Sequence, residues 1–212
     1  MLRKHNIRAG ADSEPRIRTR RSYFDTRFGQ LHVCTAFPAT GGFDEQPPLI
    51  CIHAAGRSSR DFGAFLAAIA DRRSVYAPDL PGCGESDPPP PESAGGAAAA
   101  AICDLAAELR LRRIDMLAVG DAAAVALEVA AVAPELLRRL VTIGAGEIER
   151  IAAATYDSLV LAVDPAGEPT WRGLQTLRAS VEYVEAPEYR DQPFALAPGA
   201  LAERVAHFLG RS

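Results

Sequence analysis

Three short segments of the chain concentrate the residues that can do chemistry. His53-Ala54-Ala55-Gly56-Arg57-Ser58-Ser59 offers an imidazole, a guanidinium and a run of small residues. Asp79-Leu80-Pro81-Gly82-Cys83-Gly84-Glu85-Ser86-Asp87 offers carboxylates and a thiol between two glycines. Gly120-Asp121-Ala122-Ala123-Ala124 puts a carboxylate at the head of a small-residue run. The Ala54, Ala55 and Ala123 N–H groups, with Arg57 adding positive charge, suit a nest for a carboxylate or other anion. The plainer reading is a scaffold turn whose amides meet water. Asp121, Asp164 and Asp191 are hard oxygen donors of the kind a divalent cation takes. Their spacing is not clustered, and separate loop and cap carboxylates describe them more simply. Cys83 would react only as a thiolate, and no partner base is visible for it. With no C-x-x-C pair and no Cys/His cluster, neither a metal nor a cofactor is expected.

The elements that must position these segments alternate. Residues 20–27 and 30–37 read as strands joined at Phe28-Gly29, a hairpin. Leu49–Ile52 has no polar face and suits a strand buried on both sides. Apolar residues at 62, 65, 66 and 69 predict a helix over 61–71, followed by a short strand at 74–77. Residues 81–91 can only be loop. An Ala-rich helix over 93–109, with Ser93 as its N-cap, precedes a strand at 114–119 and a helix at 121–132. Strands at 140–143 and 158–163 flank a short helix at 147–154. Helix 169–179, strand 181–184 and helix 198–209 complete the order. Strands alternating with helices after an opening hairpin predict an α/β fold with a mostly parallel sheet and helices on both faces. Ligands of such sheets sit at the carboxyl ends of the strands, where the three segments fall.

Those segments, each after an expected strand, resemble the motifs of the α/β-hydrolase superfamily. Members often read H-G-x-x-x-x-S, then D-x-P-G-x-G-x-S, then G-x-S-x-G. The resemblance runs from about Tyr23 to Leu209, and its most specific piece is Asp79–Asp87. It implies an α/β-hydrolase fold with a nucleophile elbow after the strand at 114–119. The tight turn needs small residues two before and two after the nucleophile, and Gly120 and Ala124 meet that need. The residue between them is Ala122, and a methyl group cannot attack a carbonyl. By the same resemblance the acid position falls on Ala166, with Asp164 two residues earlier. The histidine position falls on Asp191, and His53 stands where the family commonly has a structural histidine. The stretch between the strands at 140–143 and 158–163 has room for one crossover helix and no cap.

Two functions follow as expectations. One is a non-catalytic pseudo-hydrolase that binds a small molecule or a protein through His53, Ala54, Ala55, Arg57, Asp121, Ala122, Ala123 and Asp191. The other is an atypical hydrolase of small esters that relies on the backbone nest and a non-standard group such as Asp121. An aspartate nucleophile at Asp121 would need a one-residue register shift and a histidine to activate water. A third class, a module assembling with itself, predicts a homodimer, because losing a cap uncovers apolar surface.

Composition sets the outer bounds. With 212 residues, 48% hydrophobic and 24% charged, the chain is neither disordered nor fibrous. No apolar stretch is long and uncharged enough to span a membrane; the nearest, 114–134, carries Asp115, Asp121 and Glu128. Met1–His5 lead into no apolar core, so no secretory signal is expected, and Cys34, Cys51, Cys83 and Cys103 read as reduced cytoplasmic thiols. Residues 1–19 read as a basic arm and 20–212 as one domain. Residues 1–21 carry seven basic and two acidic residues on an otherwise acidic chain. A solvated terminus explains that better than nucleic-acid binding, because no aromatic residue is interleaved.

Overall fold

A computed structural model describes residues 17, 19–39, 46–144, 148–163, 181–190, 193–195 and 197–211. Its centre is a sheet of eight strands among the described residues: β1 (Thr19–Thr26), β2 (Gly29–Ala36), β3 (Leu49–Ile52), β4 (Val75–Pro78), β5 (Ile114–Val119), β6 (Leu137–Ile143), β7 (Asp157–Ala162) and β8 (Val181–Glu185). The order is β1-β2-β4-β3-β5-β6-β7-β8. The hairpin β1–β2 and the β2–β4 pair are antiparallel, and all other neighbours run parallel.

The central strands β3 and β5 are buried on both faces because both faces are covered. Ile50 and Ile52 of β3, with Met116 and Ala118 of β5, pack under α2 (Ala97–Glu108) and α3 (Ala122–Val132). Leu49, Cys51 and Leu117 point the other way, against α1 (Gly63–Ile69) and α5 (Pro198–Leu209). This is the two-residue alternation of a strand read twice, once per face. The Ala runs of α2 and α3 favour helix and bury little volume beside the sheet. The remaining labelled helix, α4 (Ile148–Ala153), crosses from β6 to β7. The whole connection between those strands is residues 144–156.

Three starts differ from the sequence reading for a physical reason. A 3₁₀ turn at Ser59–Phe62 precedes α1, because the Ser59 amide is tied to the Asp79 carboxylate at 2.6 Å. Helix α2 starts at Ala97 instead of Ser93: Pro91–Ser93 is a separate 3₁₀ turn, and Gly96 at φ 80° interrupts the right-handed path. Ser93 therefore caps nothing. Strand β6 starts at Leu137, three residues earlier than its apolar run suggests. Its Arg138 and Arg139 are strand residues because their guanidiniums have partners at the amino end of the sheet. Arg138 gives two hydrogen bonds to Asp115 at 2.8 and 2.7 Å, and Arg73 gives a third at 2.7 Å. Arg139 donates to the Leu209 carbonyl at 3.0 Å, closing the C-terminus of α5. Asp115 is fully buried and Arg73 is 1% exposed, so this is a charged clamp inside the fold. The expected helix at 169–179 lies outside the described residues.

Candidate functional site

The turn from β5 into α3 is the place to look for a nucleophile. Ala122, where the resemblance puts the nucleophile, is the first residue of α3 and is buried. The residue with positive φ between strand and helix is Gly120, at +57°. The sharp reversal needs a left-handed residue, which Gly120 supplies without steric cost two residues before Ala122. A Cβ added to Gly120 would meet only the Ala54 methyl, at 3.6 Å. Neither Gly120 nor Ala122 carries a nucleophilic atom.

Asp121 follows at the N-cap of α3, but its side chain does not cap the helix. It reaches across to the first loop, where its Oδ1 accepts the Ala55 N–H at 2.9 Å. Ala123 donates its own N–H back to the Gly120 carbonyl at 3.3 Å. Two of the three amides assigned to an anion nest are thus already committed within the chain. The first loop is an accommodated turn, closed by Arg57 N–H on the Ala54 carbonyl at 3.1 Å.

His53 is 1% exposed. Its Nε2 accepts the Leu80 N–H at 3.0 Å, and its Nδ1 lies 2.9 Å from the Ala54 carbonyl. A backbone donor on Nε2 requires a lone pair there, so the ring proton sits on Nδ1 and donates to Ala54. Both nitrogens hold the β3 and β4 loops together, and neither faces a reacting atom.

The Asp79–Asp87 segment is organised by Asp79, which is 2% exposed. Its Oδ1 takes the Ser59 N–H at 2.6 Å; its Oδ2 takes the Glu85 N–H at 2.8 Å and His32 Nδ1 at 2.9 Å. Burial pushes this carboxyl upward, but the amide donors of Glu85 and Ser59 and the His32 contact outweigh it. The group stays below its ordinary value. Gly84 is required here: at φ +53°, a Cβ would lie 2.0 Å from Asp79 Oδ2. Glu85 gathers the Tyr23 hydroxyl at 2.8 Å and Arg60 at 2.9 Å, and the Tyr23 bond is the larger cause of its lowered pKa. Cys83 sits in this loop as a free thiol, pushed up by burial and then by Asp79, the opposite of an activated thiolate.

A cleft of about 490 Å³ opens beside the carboxyl ends of β3 and β5. His53, Ala54, Val119, Phe62, Pro193 and Phe194 give it an apolar wall, and Arg57, Arg60 and Arg190 give it cationic edges. Phe194 stacks at 4.6 Å from Phe62 and 5.1 Å from Phe65, which fixes the wall. Arg57 forms a two-pronged pair with Asp61, at 2.6 and 2.9 Å. Of the residues expected at the site, His53, Ala54 and Arg57 line this cleft, while Asp121 joins Ala55 beside it. Asp164, Ala166 and Asp191 lie outside the described residues. Sequence reasoning missed Arg60 and Phe62, on the Ser59–Phe62 turn, and Arg190 and Phe194, far along the chain; only the Arg57–Asp61 spacing of four was a readable signal. Among the described residues, no group of three His, Cys, Asp or Glu side chains is placed to hold a metal ion. No described helix is long and apolar enough to cross a membrane.

An α/β sheet with the elbow turn after its fifth strand defines the class. The profile of the Alpha/beta hydrolase family matches residues 49–211, and the chain belongs to that family. Among solved structures, the carboxylesterase CesB from Bacillus subtilis superposes with a TM-score of 0.75 at 15% identity, covering 92% of this chain and 93% of that one. The naproxen esterase from Bacillus subtilis gives 0.72 at 16% identity, covering 91% and 92%. At such identities the likeness is one of fold. An uncharacterized protein of Mycobacterium tuberculosis (strain ATCC 25618 / H37Rv) is 30% identical over 104 residues, 49% of this chain and 30% of that protein. The match thus spans less than a third of that relative's length.

Proposed function

We propose that this chain is a non-catalytic member of the α/β-hydrolase family whose cleft binds a small molecule or a partner. The observation that carries the reading is the turn from β5 into α3. Gly120, at positive φ, supplies its reversal. By the small-residue pattern the nucleophile's place falls two residues on, on Ala122, the first residue of α3, which has only a methyl. His53 has both nitrogens committed to backbone groups. The 144–156 connection supports a cap-less site, open to water, in which electrostatic catalysis is weak.

The aspartate alternative draws no support from the geometry. Asp121 lies one residue before Ala122, and its carboxylate is an acceptor for Ala55. Incubation with a fluorophosphonate tests the reading. An unchanged intact mass is expected; a single stoichiometric adduct would reveal a serine nucleophile elsewhere and defeat it.

A further inference from the structure

We infer that β1, the open edge of the sheet, pairs antiparallel with β1 of a second copy of this chain, Tyr23 opposite Tyr23 and Arg21 opposite Asp25. This pairing is independent of what the cleft binds. β1 stands at one end of the strand order, and its only strand neighbour among the described residues is β2. Its eight residues pair with β2 without a bulge and hold no proline or glycine, so nothing local blunts the edge. Which of its backbone groups face outward follows from β2. Gln30 N–H donates to Asp87 Oδ2 at 2.8 Å, and the Gln30 carbonyl accepts the Asp87 N–H at 2.9 Å. His32 N–H donates to Ser86 Oγ at 2.9 Å, and the His32 carbonyl accepts the Asp79 N–H at 2.8 Å. Both residues therefore turn their backbone groups away from β1. The residues opposite them on β1 are Asp25 and Tyr23, and the next in the alternation is Arg21. In an antiparallel ladder such residues aim their own N–H and C=O groups to the other side, here the open edge.

Those outward groups select the occupant and the register. A second β1 supplies donors and acceptors at the same spacing, and a shift by one residue would set outward groups against inward ones. Of the registers left, the one centred on Tyr23 sets Arg21 of each copy opposite Asp25 of the other; a slip by two places loses both ion pairs. The side chains of these pairs project on one face. Tyr23 is 51% exposed there, and Asp25 is exposed with no ion-pair partner among the described residues. Arg21 reaches Glu85 only at 3.4 Å, while the Tyr23 hydroxyl and Arg60 hold that carboxylate at 2.8 and 2.9 Å, so the Arg21 guanidinium is available to Asp25 of the other copy. The opposite face of β1 is already used, because Phe24 packs into the core beneath α2. Pairing identical edges about a two-fold axis closes on itself, whereas β1 against β8 of a neighbour would repeat without end.

Sedimentation equilibrium of the full chain tests this. The mass is expected to rise from one chain to two, and no further, across the micromolar range, with association weakening as salt rises. Arg21→Asp leaves acidic side chains at both places and Asp25→Arg leaves basic ones. Each variant alone sets like charges opposite each other and, with an unchanged far-ultraviolet circular dichroism spectrum, is expected to associate about tenfold more weakly. Mixed in equal amounts, the two variants present opposite charges at both contacts and are expected to recover a dimer of wild-type strength. Amide hydrogen exchange of the wild-type protein reads the edge without any substitution: the Tyr23 and Asp25 N–H groups are expected to slow as concentration rises. A mass of one chain at every concentration, growth past two chains, a dimer indifferent to both charge reversals, a mixture that stays monomeric, or exchange at Tyr23 that ignores concentration would overturn the proposal.

Discussion

Asp79→Asn isolates the electrostatics of the loop that carries the family's most specific motif. The substitution keeps volume and shape, so no cavity forms. It changes one acceptor oxygen into an NH₂ donor. Three donors converge on the wild-type carboxylate: the Ser59 amide on Oδ1, and the Glu85 amide and His32 on Oδ2. An asparagine has one oxygen, so at least one buried N–H must face another N–H. Orphaning a buried donor costs about 1–3 kcal/mol, and exchanging a charged acceptor for a neutral one weakens the remaining bonds by about 1 kcal/mol each. The expected loss is about 3–5 kcal/mol. For a chain of this length that lowers the melting temperature by about 6–20 °C. Thermal unfolding followed by circular dichroism reads it directly. A shift smaller than about 2 °C would refute the claim that the Asp79 carboxylate organises this loop.

Three further outcomes follow from the same geometry. Asp115→Ala strands the buried Arg73 guanidinium without its carboxylate and should cost about 3–5 kcal/mol in urea unfolding; a change under about 1 kcal/mol would remove the clamp from the account. Gly120→Ser places a Cβ in open contact with Ala54 but at positive φ, so it should fold with a loss of about 1–2 kcal/mol and show no esterase activity; strong activity would mean a base stands within reach. Asp79, Asp104 (held down by its bond to Arg27) and Glu85 (held down by its bond from Tyr23) titrate below their ordinary values in the fold. Their stabilisation is complete above the unfolded carboxylate pKa, near 4, and is lost as pH falls through the lower folded values. Acid unfolding should therefore start below about pH 4; a midpoint near pH 6 would contradict these assignments.

Much of the fold was legible because its rules are local. The bounds of β3 and β5 and of the last helix were readable, since apolar runs and helical spacing fix them. The start of β6 was hidden by Arg138 and Arg139, whose partners Asp115 and the α5 carbonyls are distant in sequence. The turn before α3 was legible in Gly120, whose positive φ the structure shows. Asp121 read as a helix cap, because nothing local announces a bond to Ala55 from another loop. The cleft was invisible for the same reason: Phe62, Arg190 and Phe194 meet only in three dimensions.

Steady-state hydrolysis of p-nitrophenyl esters of graded chain length, wild type beside Asp121→Asn and Gly120→Ser, decides whether the cleft binds or turns over. No saturable turnover above the spontaneous rate is expected for any of the three. Saturable turnover by the wild-type protein would contradict the non-catalytic reading, and its loss in Asp121→Asn would place the reaction on that carboxylate.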